Sequence, residues 1–143
     1  MDRSELFSSL KLDRFIAFDF ETTGLQVETD RAIEVAAIMF KDGKPAEKFV
    51  TLINPQIPIS DLIADITGIT NEMVTEAPLE KEIIDDLFEF LGDYPIVAHN
   101  TPFDLSFLRA MAERHNKDFI ERKCYDTLTL SRAFLFFQPT HNL

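Results

Sequence analysis

The first regular feature of the chain is an apolar run. Phe15 to Phe20 is apolar at every position except Asp19. That pattern, entered through Arg14, predicts a central strand covered on both faces. Thr22-Thr23-Gly24-Leu25 breaks it with turn chemistry. Ala32 to Phe40, rich in Ile, Val and Ala, predicts a second strand. Lys41-Asp42-Gly43-Lys44 predicts a hairpin turn, and Ala46 to Ile53 the returning strand. Asn54-Pro55 ends it. Past Pro58, short helical pieces are expected at residues 60–66 and 71–75, separated by a turn at Thr67-Gly68-Ile69-Thr70. From Pro78 onward, Leu79, Ile83, Leu87 and Phe90 or Leu91 recur at helical spacing, which predicts an amphipathic helix stopped by Gly92. Ile96-Val97-Ala98 reads as a short buried strand. Thr101 is expected to cap the next helix, with Pro102 at its first position. Asp126 is expected to cap a last helix through Phe136. Strands first, then helix and strand in alternation, predict an α/β domain with a mixed sheet.

Composition narrows the picture. The chain has 143 residues, which suits one domain, and no internal repeat or linker divides it. Apolar residues make up 45% of it, enough for a packed core. The formal net charge is −11, a poor footprint for gripping long nucleic acid by charge alone. It suits a solvated acidic surface, or a site whose charge is completed by cations. The lone Cys124 has no internal disulfide partner and reads as a small core residue in a reducing compartment. No signal-like run follows the charged N-terminus, and no stretch approaches the ~20 apolar residues of a membrane helix. A cytoplasmic protein with no membrane partner is expected.

The candidate chemistry lies in carboxylates. Asp19 and Glu21 are two apart on a strand, so both project from the same face near its end. Two like charges there repel, and desolvation costs several kcal/mol per ion unless something compensates. Arg14 is roughly 17 Å back along a strand. A divalent cation would answer the charge, since hard cations take carboxylate oxygens; a distant Lys or Arg, or plain solvent at a strand end, would also answer it. Asp104 lies in the first turn of a helix and shares a face with Phe107, Leu108 and Met111. It therefore looks into the protein, beyond a favourable interaction with the helix dipole. His99 and Asn100 precede it as either site groups or satisfied turn residues.

Taken together these motifs become specific. Phe18-Asp19-Phe20-Glu21-Thr22-Thr23-Gly24-Leu25 resembles the first signature of the DEDD superfamily of 3′→5′ exonucleases. Ala98-His99-Asn100-Thr101-Pro102-Phe103-Asp104 resembles the second. The segment from Asp65 to Met73 resembles the one these enzymes place beside the substrate. The similarity runs from about Arg14 to the C-terminus. It is strongest to the proofreading epsilon-subunit group of bacterial DNA polymerase III and the related domain of Gram-positive replicative polymerases.

The resemblance implies a ribonuclease H-like fold, a mixed five-stranded sheet with flanking helices. It implies two divalent cations, Mg²⁺ or Mn²⁺, with Asp19, Glu21 and Asp104 as catalytic residues and metal ligands. Thr22, Thr23 and Leu25 would receive the terminal nucleotide. Thr67, Ile69 and Phe103 would contact the end of the strand, although core packing is an equal reading for Leu25, Ile69 and Phe103. His99 and Asn100 would orient the helix that bears Asp104. The implied partner is a single-stranded or frayed 3′ end of DNA, with RNA left open, and a DNA polymerase beside it. The family's third signature, a late His followed about five residues on by Asp, has no match. His141 is followed by no carboxylate and is not assigned a role. The expectation is therefore an exonuclease domain over residues 1–143 that is incomplete at its C-terminus, lacks the final helix and is itself weakly active or inactive; the alternatives are a catalytically impaired nucleic-acid-binding or polymerase-partner domain of the same fold, or an RNA-trimming exonuclease. The apolar run Ala133-Phe134-Leu135-Phe136-Phe137 would then be uncovered and favour self-association.

Overall fold

The computed structural model describes residues 12–128, together with residues 2, 5, 8 and 9. The apolar runs become one mixed sheet of five strands: β1 (Arg14–Thr22), β2 (Ala32–Lys41), β3 (Lys44–Leu52), β4 (Ile96–Ala98) and β5 (Cys124–Asp126). Their order across the sheet is β3-β2-β1-β4-β5. The first three form an antiparallel meander, whereas β1, β4 and β5 run parallel. The β2–β3 turn places Asp42 at φ 51° and Gly43 at φ 80°, the two positive values that a tight hairpin needs.

Among the described residues, four helices follow the meander: α1 (Asp61–Thr67), α2 (Asn71–Val74), α3 (Glu80–Leu91) and α4 (Thr101–Arg114). Ser60 and Thr70 cap α1 and α2 through their side chains, and Gly68 ends α1 in the left-handed conformation. The core lies between one sheet face and the helices α3 and α4. Ile16, Phe18 and Phe20 of β1 meet Ile84 and Leu87 of α3 and Phe107 and Leu108 of α4 there. A smaller cluster joins Ile33, Ile59, Ile69 and Val74. Ile33 reaches it through a register shift, since Glu21 pairs with Glu34 but Thr22 pairs with Ala32. A bulge of this kind re-aims side chains and is common beside sites.

Some expectations change. The strand β1 continues through Thr22, so Glu21 lies within it rather than at a break. Full cover of both faces of β1 is not reached among the described residues: Phe15 and Ala17 are half-buried, with Phe15 stacked on Phe40 at 5.0 Å. Thr101 does not cap α4. Asn100 is the capping residue, at φ 68°, and makes no side-chain cap bond. The Thr101 hydroxyl donates instead to the carbonyls of Tyr125 and Ala98, at 3.0 and 3.3 Å, and so ties α4 to the ends of β5 and β4. Cys124 is half-buried on β5 against the main core. Burial raises its thiol pKa, partly offset by Arg122 and Arg109. The expected last helix beyond Leu128, the run from Ala133 to Phe137, and His141 all lie outside the described residues. Among the described residues, no helix is long and apolar enough to cross a membrane.

Candidate active site

Three parallel strands end on the same side of the sheet. In open α/β sheets, ligands bind at such carboxyl ends. Here they deliver Asp19 and Glu21 from β1, His99 and Asn100 after β4, and Asp126 from β5. Asp104 enters from the first turn of α4.

Asp104 is the centre of the arrangement. It is only 2% exposed. Its Oδ1 accepts a hydrogen bond from the Phe20 N–H at 3.0 Å. The parallel pairing of β1 with β4 stops at Ala17 and Val97, so this amide lies past the reach of the ladder. Asp104 satisfies it, which holds its carboxyl against β1 at the residue between Asp19 and Glu21 in sequence. Burial raises the Asp104 pKa to about 7, and the charges of Asp19, Glu21 and Asp126 add to the rise against the pull of the Phe20 amide. Asp19 is raised by partial loss of water, with His99 opposing. Glu21 is raised by the same cause, then by Asp19 and by Glu34. Glu34 sits directly across the ladder from Glu21, a destabilising like-charge pairing in a plain sheet.

The loop after β1 is braced from within. Thr23 donates to Asp30 Oδ1 at 2.8 Å and accepts from the Arg31 N–H at 3.1 Å. Asp30 Oδ2 accepts from the Gln26 N–H at 2.9 Å. The Thr22 hydroxyl donates to the Gly24 carbonyl at 2.7 Å. Gly24 has no room for a side chain, because a β-carbon there would collide with the Asp30 carboxylate. The loop thereby leaves Leu25 79% exposed, which removes core packing as its role.

The other expected residues are placed differently. Ile69 is 4% exposed in the smaller core cluster. The Thr67 hydroxyl donates to the Ile63 carbonyl at 2.8 Å and accepts from the Ile69 N–H at 3.1 Å, closing α1. Phe103 is half-buried with its ring 4.9 Å from that of Phe107. His99 Nδ1 lies 3.0 Å from the Thr127 hydroxyl, while its Nε2 is buried without a hydrogen-bond partner among the described residues. The Asn100 N–H donates to Asp126 Oδ1 at 2.8 Å, and the Leu128 N–H to the same oxygen at 3.0 Å. Asp126 thus fixes the left-handed turn that launches α4. Its place in the site, like those of Asp30 and Glu34, is not visible in the motifs. The one signal for Asp126 in sequence is its reading as a helix cap.

The donor set suits hard divalent cations: carboxylate oxygens that raise one another's pKa. Among the described residues, no three His, Cys, Asp or Glu side chains are already gathered into an ion cage. Cations held here would keep water in their coordination, as Mg²⁺ ordinarily does.

Known proteins share this fold. The chain resembles solved structures of exonuclease I. One is the apo enzyme, with TM-score 0.77 and 21% identity over 92% of this chain and 32% of that one. Another is the E. coli enzyme with a dA16 oligonucleotide, with TM-score 0.77 and 22% identity over 89% of this chain and 31% of that one. At that identity the likeness establishes the ribonuclease H-like fold. Sequence relatives include the PolC-type DNA polymerase III of Caldanaerobacter subterraneus subsp. tengcongensis, 43% identical over 82% of this chain. That of Bacillus subtilis is 39% identical over 89%. The chain spans only 8% and 9% of the length of those two polymerases. The RNase T exonuclease family model matches residues 16–143, and the chain belongs to this exonuclease family.

Proposed function

We propose that the chain hydrolyses the 3′ end of single-stranded or frayed DNA in the 3′→5′ direction, by two-metal chemistry, in a proofreading setting beside a polymerase. The observation that carries the reading is Asp104, buried on the Phe20 amide and pushed to about 7 among like charges. Asp30 and Asp126, which brace loops, each accept two hydrogen bonds from the protein. The named partners of Asp104 are an amide and three other carboxylates.

Asp19, Glu21 and Asp104 are the residues that would hold Mg²⁺ or Mn²⁺. Bound there, such ions lower the pKa of water and steady a leaving oxygen. The chain's own contribution is positioning. Asp30 fixes the loop that presents Leu25, and Thr22 and Thr23 set its backbone. Phe103 lies one residue before Asp104, where it can flank the terminal nucleotide. Asp126 and Asn100 hold the start of α4, and His99 tempers the charge of Asp19. Thr67 and Ile69 support the neighbouring segment from within. DNA is favoured over RNA by the polymerase relatives, which also point to a cytoplasmic setting.

The test is hydrolysis of a single strand labelled at either end, in Mg²⁺ and in EDTA. Slow stepwise release from the 3′ end, only with the cation, is expected, because the late His-and-Asp signature has no match in the sequence. Asp19→Ala should slow it by at least ~10²-fold, since even partners behind a metal ligand cost 10–100-fold. Binding of the strand by the wild type with no hydrolysis would make the chain a binding module of the same fold.

A further inference from the structure

The outer face of α4 carries a second feature. Ser106, Arg109, Ala110, Glu113 and Arg114 recur at helical spacing and form one wall of a hollow of about 500 Å³. The loop residues Val27, Glu28 and Arg31 form the other wall. A second hollow, of about 210 Å³, continues past Arg31 and Arg114 to Lys81 and His115. The two share Arg31 and Arg114, so they make one strip. It begins at the active-site loop, because the Arg31 carbonyl accepts from the Thr23 N–H at 2.9 Å.

The strip gathers cations on a chain of net charge −11. Arg109 and Arg114 are engaged, with Glu121 at 3.0 Å and Glu80 at 2.9 Å. Arg31 and Lys81 are in no ion pair among the described residues, and the Arg31 guanidinium donates only to the Asp30 carbonyl, at 2.8 Å. Glu28, Glu80 and Glu113 line the walls too, so the four cations Arg31, Lys81, Arg109 and Arg114 exceed the lining carboxylates by one. The strip is long enough to take more than one phosphate. Along α4, Arg109 is roughly 7.5 Å and Arg114 roughly 15 Å beyond Asp104 at 1.5 Å per residue.

We propose that this strip is a track for the phosphodiester backbone of the strand upstream of its 3′ end. The inference rests on the exonuclease reading above. It assigns Arg31 and Lys81, which no motif marks, as phosphate contacts beyond the terminal nucleotide.

The experiment is fluorescence anisotropy in EDTA over a range of salt. It compares a twelve-nucleotide oligothymidylate with a three-nucleotide one. The variants are Arg31→Gln/Lys81→Gln and a control of equal charge change on β3, Lys44→Gln/Lys48→Gln. Each phosphate contact on a single strand contributes about 0.7 to the slope of log K against log salt. The Arg31→Gln/Lys81→Gln protein should lose about 1.4 of that slope on the long strand, with the short strand little changed. The control should keep the wild-type slope, and binding read in EDTA needs no hydrolysis, which separates the track from the hydrolytic site. An unchanged slope, an equal loss in the control, an equal loss on the short strand, or no binding of the long strand by the wild type would each overturn the track.

Discussion

Metal-free protein is expected to lose stability between about pH 4 and pH 8 that Asp104→Asn protein retains. The Asp104 pKa is about 7 in the folded protein, against an ordinary value of 3.8 for an aspartate in an open chain. The folded carboxyl therefore holds its proton after the unfolded one has released it. The group's full stability is present below the unfolded value and is lost as pH rises through the folded one. A gap of about 3 units corresponds to about 4 kcal/mol at ~1.36 kcal/mol per unit. Asn keeps an oxygen to accept from the Phe20 N–H and carries no charge. Urea unfolding in EDTA should give equal stabilities for the two proteins near pH 4. Near pH 8 the Asn protein should be ahead by about 2–4 kcal/mol. Parallel pH profiles, or a less stable Asn protein near pH 8, would mean that Asp104 is a structural ion matched elsewhere.

Glu80→Ala is expected to destabilise the fold by about 2–3 kcal/mol. Glu80 opens α3, and its carboxylate takes both prongs of the Arg114 guanidinium at 2.9 Å. It also meets His115 Nε2 at 2.9 Å, so three bonds fasten the start of α3 to the end of α4. Its side chain is 12% exposed and that of Arg114 25%. Removing one member of a buried pair costs about 3–5 kcal/mol, because the remaining charge is left without its partner. The quarter exposure of Arg114 gives that charge some water and lowers the figure. Chemical denaturation at neutral pH reads the difference. A change under about 0.5 kcal/mol would place the pair among ordinary surface ion pairs.

The frame is legible in the sequence where a local pattern determines it. The Asp42-Gly43 hairpin, the apolar runs of β1 and β2, and the spacing of Ile83, Leu87 and Leu91 each state their own conformation. β5 is not legible in this way, because three half-buried residues carry no period; only the family resemblance, with its five-stranded sheet, implies it. Thr101 misleads as a cap because its hydroxyl is taken by carbonyls from β4 and β5, a tertiary demand that overrides its capping preference. The site divides in the same way. Asp19, Glu21 and Asp104 stand in motifs. Glu34 enters only through strand register, Asp126 through the parallel pairing of β5, and Asp30 through the fold of its loop.

The central claim is that Asp19, Glu21 and Asp104 together form a divalent-cation site. Calorimetric titration of Mn²⁺ into the wild type and into an Asp19→Ala/Glu21→Ala double variant, with folding of both checked by circular dichroism, tests it most directly. Saturable binding in the wild type, weakened at least ~10²-fold in the folded double variant, is the predicted result. Equal Mn²⁺ affinity in the two proteins would contradict it.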